Sequence, residues 1–244
     1  GWLAWRPAKS MEEAQAMDFK IKAGDAVRRI YFGDRSDHIM LLDQTGRAYS
    51  LRLTELPSKA DTMPLTTWFE APANARFVEA AVSGPEGRFI VAGQNGYGFV
   101  VKGSDWVNRM KAGKAFLTLA EGEAPLPPLP LPAEVSADTS VIALATDGRA
   151  VVFPLTDMKA LPKGKGVAIM GLAPDCLLSD LTVFEPTSPP VLKGPKGPIK
   201  LAADHLESLR GGRSAGKKGR ALHKQSAGAV FIRPGREEPT VPSE

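Results

Sequence analysis

Lysine and arginine recur in this chain in short runs broken by glycine: Arg109-Met-Lys-Ala-Gly-Lys114, Pro162-Lys-Gly-Lys-Gly166 and Gly212-Arg-Ser-Ala-Gly-Lys-Lys-Gly-Arg220. Such runs suit phosphate, because a glycine beside a cation lets the anion reach the backbone N–H as well. Lys114, Lys165 and Lys217 follow the turn glycines Gly96, Gly148 and Gly197 by 18, 17 and 20 residues. Loops in register emerge at equivalent places of a repeated fold, so these lysines are expected to form one basic belt suited to a polyanion. Arg109, Lys111, Lys114, Lys163, Lys165, Arg213, Lys217, Lys218 and Arg220 are the residues expected to carry it. The charge is concentrated rather than large. The whole chain carries +4, whereas residues 193–236 hold eleven Lys/Arg against Asp204 and Glu207, or +9.

Other chemistries find less support. The segment from Gly211 to Lys218 matches G-x-x-x-x-G-K, but Lys218 stands where Ser or Thr would hold magnesium. A short helix over 204–209, rather than a strand, is expected before it. Cys176 is the one cysteine. It allows no internal disulfide, fits a reducing cytosol, and has no histidine near it in sequence, so it reads as structural. His38, His205 and His223 are scattered, with no metal-ligand spacing in their favour. No Ser/His/Asp order or carboxylate pair stands out.

The elements that must position the lysines repeat at about fifty residues. Ile39-Met-Leu-Leu-Asp-Gln-Thr-Gly46, Phe89-Ile-Val-Ala-Gly-Gln-Asn-Gly96 and Val141-Ile-Ala-Leu-Ala-Thr-Asp-Gly148 read as strand and turn, with a weaker copy ending at Gly197. The glycines lie 50, 52 and 49 residues apart. Asn95-Gly96 and Asp147-Gly148 are two-residue hairpin signals. A second strand follows each. Then come Thr54-Glu55, Ser104-Asp105 and Thr156-Asp157, whose hydroxyls and acids suit the start of a helical turn, and Leu56, Trp106 and Met158, expected to tuck that turn onto the sheet. Third strands are expected over 64–69, 115–119 and 167–170, and a fourth over 76–82. A fixed period of four short strands predicts blades arranged radially.

A chain of 244 residues can bury a full core as one all-β domain. Gly1 precedes Gly46 by 45 residues and takes the place of a turn glycine, so 1–5 reads as the second half of a hairpin in a blade cut at its start. The run Pro125-Leu-Pro-Pro-Leu-Pro-Leu-Pro132 reads as a stiff extended connection between blades, with a ligand for a proline-recognising module as the other reading. The all-β domain is expected to span 1–233, and the polar tail 234–244 to be disordered. No apolar run reaches membrane-spanning length and no signal pattern opens the chain.

Lys22-Ala-Gly-Asp25, Thr45-Gly-Arg-Ala-Tyr49, Asn95-Gly-Tyr-Gly-Phe99, Arg109-Met-Lys-Ala-Gly-Lys114, Lys163-Gly-Lys-Gly166 and the segment from Gly197 to Arg220 together resemble the C-terminal domain of the A subunit of bacterial DNA topoisomerase IV. The resemblance covers nearly the whole chain in order. It implies a five-bladed β-pinwheel, a propeller-like ring whose blades exchange strands, with duplex DNA bent around a basic outer edge. The related gyrase subunit carries a Q-R-R-G-G-K-G box in its first blade. Arg6-Pro-Ala-Lys9 is no such box, which argues against gyrase-type wrapping. The family's active-site tyrosine lies in another domain, and Tyr31, Tyr49 and Tyr97 all read as strand residues.

The expected function is therefore sequence-independent duplex binding and bending by an accessory domain, not an enzyme or cofactor site in itself. It would present a DNA segment to the cleavage core and tune the choice among supercoiled or linked substrates. The resemblance implies two partners in an A2B2 enzyme: the N-terminal breakage-reunion domain of the same polypeptide, and the ATPase B subunit. It also implies ATP and Mg2+ elsewhere in that enzyme, and a cytoplasmic, nucleoid-associated location, membrane-peripheral at most. The alternative is a propeller-type interaction module whose belt meets an acidic protein.

Overall fold

The computed structural model describes residues 1–17, 24, 26–27, 29–57, 62–194, 197–210, 219–222 and 226–232. It opens on strand β1 (Trp2–Ala4) and helix α1 (Met11–Ala16), and four repeats follow. The first holds β2 (His38–Asp43), β3 (Arg47–Arg52), a 3-10 turn Leu53–Glu55, β4 (Thr62–Pro64) and β5 (Phe77–Ser83). The second holds β6 (Arg88–Ala92), β7 (Tyr97–Lys102), α2 (Gly103–Trp106), β8 (Lys114–Ala115) and β9 (Leu129–Pro130). The third holds β10 (Ser140–Ala145), β11 (Arg149–Pro154), a 3-10 turn Leu155–Asp157, β12 (Val167–Ala168) and β13 (Leu178–Phe184). The fourth holds β14 (Val191–Gly194), β15 (Gly197–Lys200), α3 (Ala203–Ser208), β16 (Arg220–Ala221) and β17 (Val230–Phe231).

Among the described residues the strands form five antiparallel sheets, and neighbouring repeats exchange strands. In the order β5-β2-β3-β8, the outer strand β8 comes from the second repeat; likewise β12 completes β9-β6-β7 and β16 completes β13-β10-β11. By the same rule β4 pairs with β1. The expected third strands are thus real but short, and each serves the preceding blade. Pairing stops after two or three residues because the next side chain turns into the core: Leu65, Phe116, Ile169 and Leu222 are all buried. Each also gives its N–H to a hairpin glycine of the preceding blade, Gly1, Gly46, Gly96 and Gly148, at 3.0, 3.3, 2.7 and 3.1 Å. Gly1 therefore occupies a turn-glycine place. The expected strand over 64–69 is corrected most, since Leu65–Thr67 coils into a 3-10 turn.

Two further expectations change. The hairpins turn on glycine alone: Gly46, Gly96 and Gly148 each have φ of 81°, while Asn95 and Asp147 keep negative φ. Each glycine N–H returns to the carbonyl three residues back, the longer hairpin form in which a left-handed glycine makes a bulge. The proline run is not a free connection. Leu129 and Pro130 pair with Ile90 and Phe89 at the edge of the second sheet, where a strand tolerates proline's missing donor. Pro125, Leu126, Pro128 and Leu129 are buried, so the run does not offer itself as a ligand.

The core lies between neighbouring blades. Met40 and Leu42 face the second repeat with Phe89, Val91 and Phe99, while Ile39 and Leu41 face back toward Leu3 and Trp5. Both faces of each hairpin are covered, which is why these strands read as unbroken apolar runs. Each such side chain contributes about 1.5–3 kcal/mol on burial. The acidic turns appear as expected, with Leu56, Trp106 and Met158 buried beneath them, but no side chain caps them. Their hydroxyls, Thr54, Ser104 and Thr156, sit inside the turn, two residues past the N-cap position.

Candidate nucleic-acid interface

The two basic loops within the described residues occupy equivalent places, each on the approach to an exchanged outer strand: one precedes β8 and one β12. Most of the third, expected before β16, lies outside the described residues. Arg213, Lys217 and Lys218 lie outside the described residues. Arg109, Lys111, Lys163, Lys165 and Arg220 are exposed. Among the described residues none of Arg109, Lys111, Lys163 and Lys165 enters an ion pair. The Arg220 guanidinium donates to the Ser208 carbonyl at 2.5 Å and so caps the end of α3.

The third repeat's basic loop is bonded to the second repeat just past β8. The Gly164 N–H donates to the Phe116 carbonyl at 2.8 Å, and the Thr118 N–H donates to the Gly164 carbonyl at 3.0 Å. The Lys163-Gly-Lys165 tip is thereby laid against the chain that leaves β8, and Lys163 comes close enough to Lys114 to disfavour its charge. Lys165 Nζ stands 3.8 Å from the centre of the Tyr97 ring, a cation–π seat that leaves its remaining donors toward solvent.

Lys114 is placed differently from the other cations. Counting from the turn glycines aligns it with Lys165 and Lys217, but the structure sets it one residue past Gly113, inside β8, where the later repeats have Val167 and Arg220. Its ammonium donates to the carbonyl of Asp105. Burial holds its pKa below the usual lysine range, against the pull of Asp105.

Sequence reasoning missed the groups that hold the loops. Arg47 donates to the carbonyls of Ala112 and Gly113 at 3.1 and 2.8 Å, and Arg149 to that of Gly219. Asn108 and Ser50 exchange two hydrogen bonds of 2.8 Å, and Asn108 Nδ2 reaches the Ala48 carbonyl. A signal was present: Gly113-Lys-Ala-Phe116, Gly166-Val-Ala-Ile169 and Gly219-Arg-Ala-Leu222 share a glycine, an alanine and a large apolar residue in step. Gly166 shows why glycine is needed, since a Cβ there would meet the Gly98 carbonyl oxygen at 2.1 Å.

The remaining candidates are accounted for structurally. Burial pushes the Cys176 thiol up, aided by Asp147, the wrong direction for a nucleophile. Tyr49 is buried in β3, where burial and the Asp43 carboxylate push its hydroxyl up to about 12. Tyr97 lies in β7, but Tyr31 lies outside any strand, contrary to expectation. Among the described residues, no group of three or more His, Cys, Asp or Glu could hold a metal, and no helix is long and apolar enough to cross a membrane.

No protein-family model matches the chain. It is similar to the A subunit of DNA topoisomerase 4 from Pseudomonas aeruginosa, 34% identical over 229 residues, and to its counterpart from Escherichia coli K12, 30% identical over 226 residues. These alignments cover 91% and 90% of this chain and 29% of each relative. The chain thus spans less than a third of those proteins. Among solved structures it is similar to the E. coli ParC C-terminal domain, with a TM-score of 0.75 and 28% identity over 91% of this chain and 89% of that one. The gyrase A C-terminal domain shares the fold at a TM-score of 0.59 and 14% identity, over 89% and 76% of the two chains.

Proposed function

The chain belongs to the family of C-terminal β-pinwheel domains of topoisomerase IV A subunits, and from that premise we propose that it binds and bends duplex DNA on the loops that precede its exchanged strands. One observation carries this reading. The third repeat's basic loop is hydrogen-bonded through Gly164 to Phe116 and Thr118, just past the β8 strand that the second repeat's basic loop enters, and Arg109, Lys111, Lys163 and Lys165 are exposed on the two loops. Cations spaced along a rigid edge, with glycine between them and no recognition helix, suit phosphates rather than base edges. Smooth bending of a site of twenty to thirty base pairs costs on the order of 1–6 kcal/mol, so contacts spread over several blades are needed to offset it. Arg213, Lys217, Lys218 and Arg220 would extend the same edge to the fourth repeat. Lys114 would act as the support beneath it.

In the intact enzyme the domain is an accessory part without catalysis or cofactor of its own. Tethered to the breakage-reunion domain, it raises the local concentration of a second DNA segment near the gate. ATP and Mg2+ serve the rest of the assembly, which includes the B subunit, in the cytoplasm at the nucleoid. The test is salt dependence of duplex binding by the purified chain. With about five phosphates neutralised, log K should fall against log salt with a slope near −4 to −5. A flat response, or sharp discrimination between unrelated duplexes, would overturn the reading and leave an acidic protein as the better partner.

A further inference from the structure

Met110 is the most exposed large apolar side chain among the described residues, at 56%. It stands between the exposed cations Arg109 and Lys111 at the tip of the second repeat's basic loop. A loose loop could leave such a side chain in water by default, but this tip is held from several sides. The Met110 N–H donates to Asn108 Oδ1 at 3.1 Å, and its carbonyl accepts from the Gly113 N–H at 2.8 Å. The Lys111 carbonyl accepts from the Glu70 N–H at 2.9 Å. Asn108 is itself locked to β3 through Ser50 and Ala48, and Arg47 grips Ala112 and Gly113. In the next repeat the matching position, three residues before the strand-entry glycine, is Lys163. The apolar residue is thus peculiar to one loop and not part of the repeat's packing.

The geometry points to Met110 as an apolar wedge that enters between two base pairs while Arg109 and Lys111 hold the flanking phosphates. Methionine is unbranched and polarisable, and apolar side chains inserted at a base step unstack it and kink the duplex. The kink would place the bend at the second repeat, and the joined edge through Gly164 would receive the DNA beyond it. This inference rests on the DNA-binding reading above.

The experiment uses a duplex of about thirty base pairs with one flexible TA step, 2-aminopurine beside that step, and a fluorophore pair at the ends. Wild type should raise the 2-aminopurine signal and shorten the end-to-end distance. Met110→Ala should abolish the 2-aminopurine rise, reduce the bend and weaken binding about threefold to tenfold, with the salt slope unchanged because no phosphate contact is lost. Met110→Leu should restore both signals. Arg109→Ala or Lys111→Ala should instead lower the salt slope by about one each. If Met110→Ala binds, bends and unstacks as wild type does, the wedge is wrong and the tip is a contact for protein. If wild type does not bind duplex at all, the DNA-binding reading falls and the wedge with it.

Discussion

The loops before β8 and before β12 hold the same place in successive repeats, yet they are anchored by different means. The earlier loop is held largely by side chains: Ser50 and Arg47 reach across to it, its own Asn108 reaches back to Ala48, and its Lys114 is turned inward onto Asp105. The later loop is held by backbone, through Gly164 bonded to Phe116 and Thr118 and through Gly166 packed on Gly98, and it keeps both lysines outward. A repeated surface can therefore preserve position while changing its anchors. Substitutions should separate the two loops by the kind of residue that breaks each.

The largest effect is expected at Gly166. Its φ of 82° and the 2.1 Å approach to the Gly98 oxygen leave no room for a Cβ, so Gly166→Ala should destabilise the fold by about 3 kcal/mol. Gly164→Ala meets open space and strains only φ, and should cost about 1 kcal/mol. Denaturant unfolding compares the pair, and equal losses would show that the close approach is not what matters. Next, Asn108→Ala removes the bonds to Ala48 and Met110 and should cost about 1–2 kcal/mol. Among the described residues, no side chain of the later loop makes comparable hydrogen bonds to remove.

Charge reversal asks whether the loops are one surface despite their anchors. Lys163→Glu with Lys165→Glu, and separately Arg109→Glu with Lys111→Glu, should each weaken duplex binding about tenfold and lower the salt slope by about two. Circular dichroism should stay that of a folded β protein. A loss confined to one pair would mean that the edge joined at Gly164 is not a continuous binding surface.

The smallest effect concerns pH. Nδ1 of His38, at the start of β2, is buried without a hydrogen-bond partner among the described residues, and burial lowers its pKa. The unfolded chain therefore binds the proton more readily. Stability should be full above the ordinary histidine value near 6.5 and fall as pH drops toward the lowered folded value. His38→Gln should flatten that slope.

The hairpins, the acidic turns and the buried Leu56, Trp106 and Met158 were legible in the sequence because each depends on neighbours within a few residues. The four repeats followed from the fifty-residue period. What escaped was every feature set by contact between repeats. Counting along the chain put Lys114 beside Lys165, but β8 begins at Lys114 itself whereas β12 begins two residues after Lys165. Asn108 and Arg47 looked like ordinary surface residues until their partners, 58 to 66 positions away, came into view.

The sequence alone determined the β repeats, their turns and the concentration of positive charge, since strand periodicity, left-handed glycines and composition are local properties. Only the tertiary structure decided which lysines face outward and what holds them. The outer strand of each of the first three repeats' sheets is lent by the next repeat, so its environment belongs to a hairpin about seventy residues back. A residue's chemistry there is set by a neighbour that the linear order does not reveal.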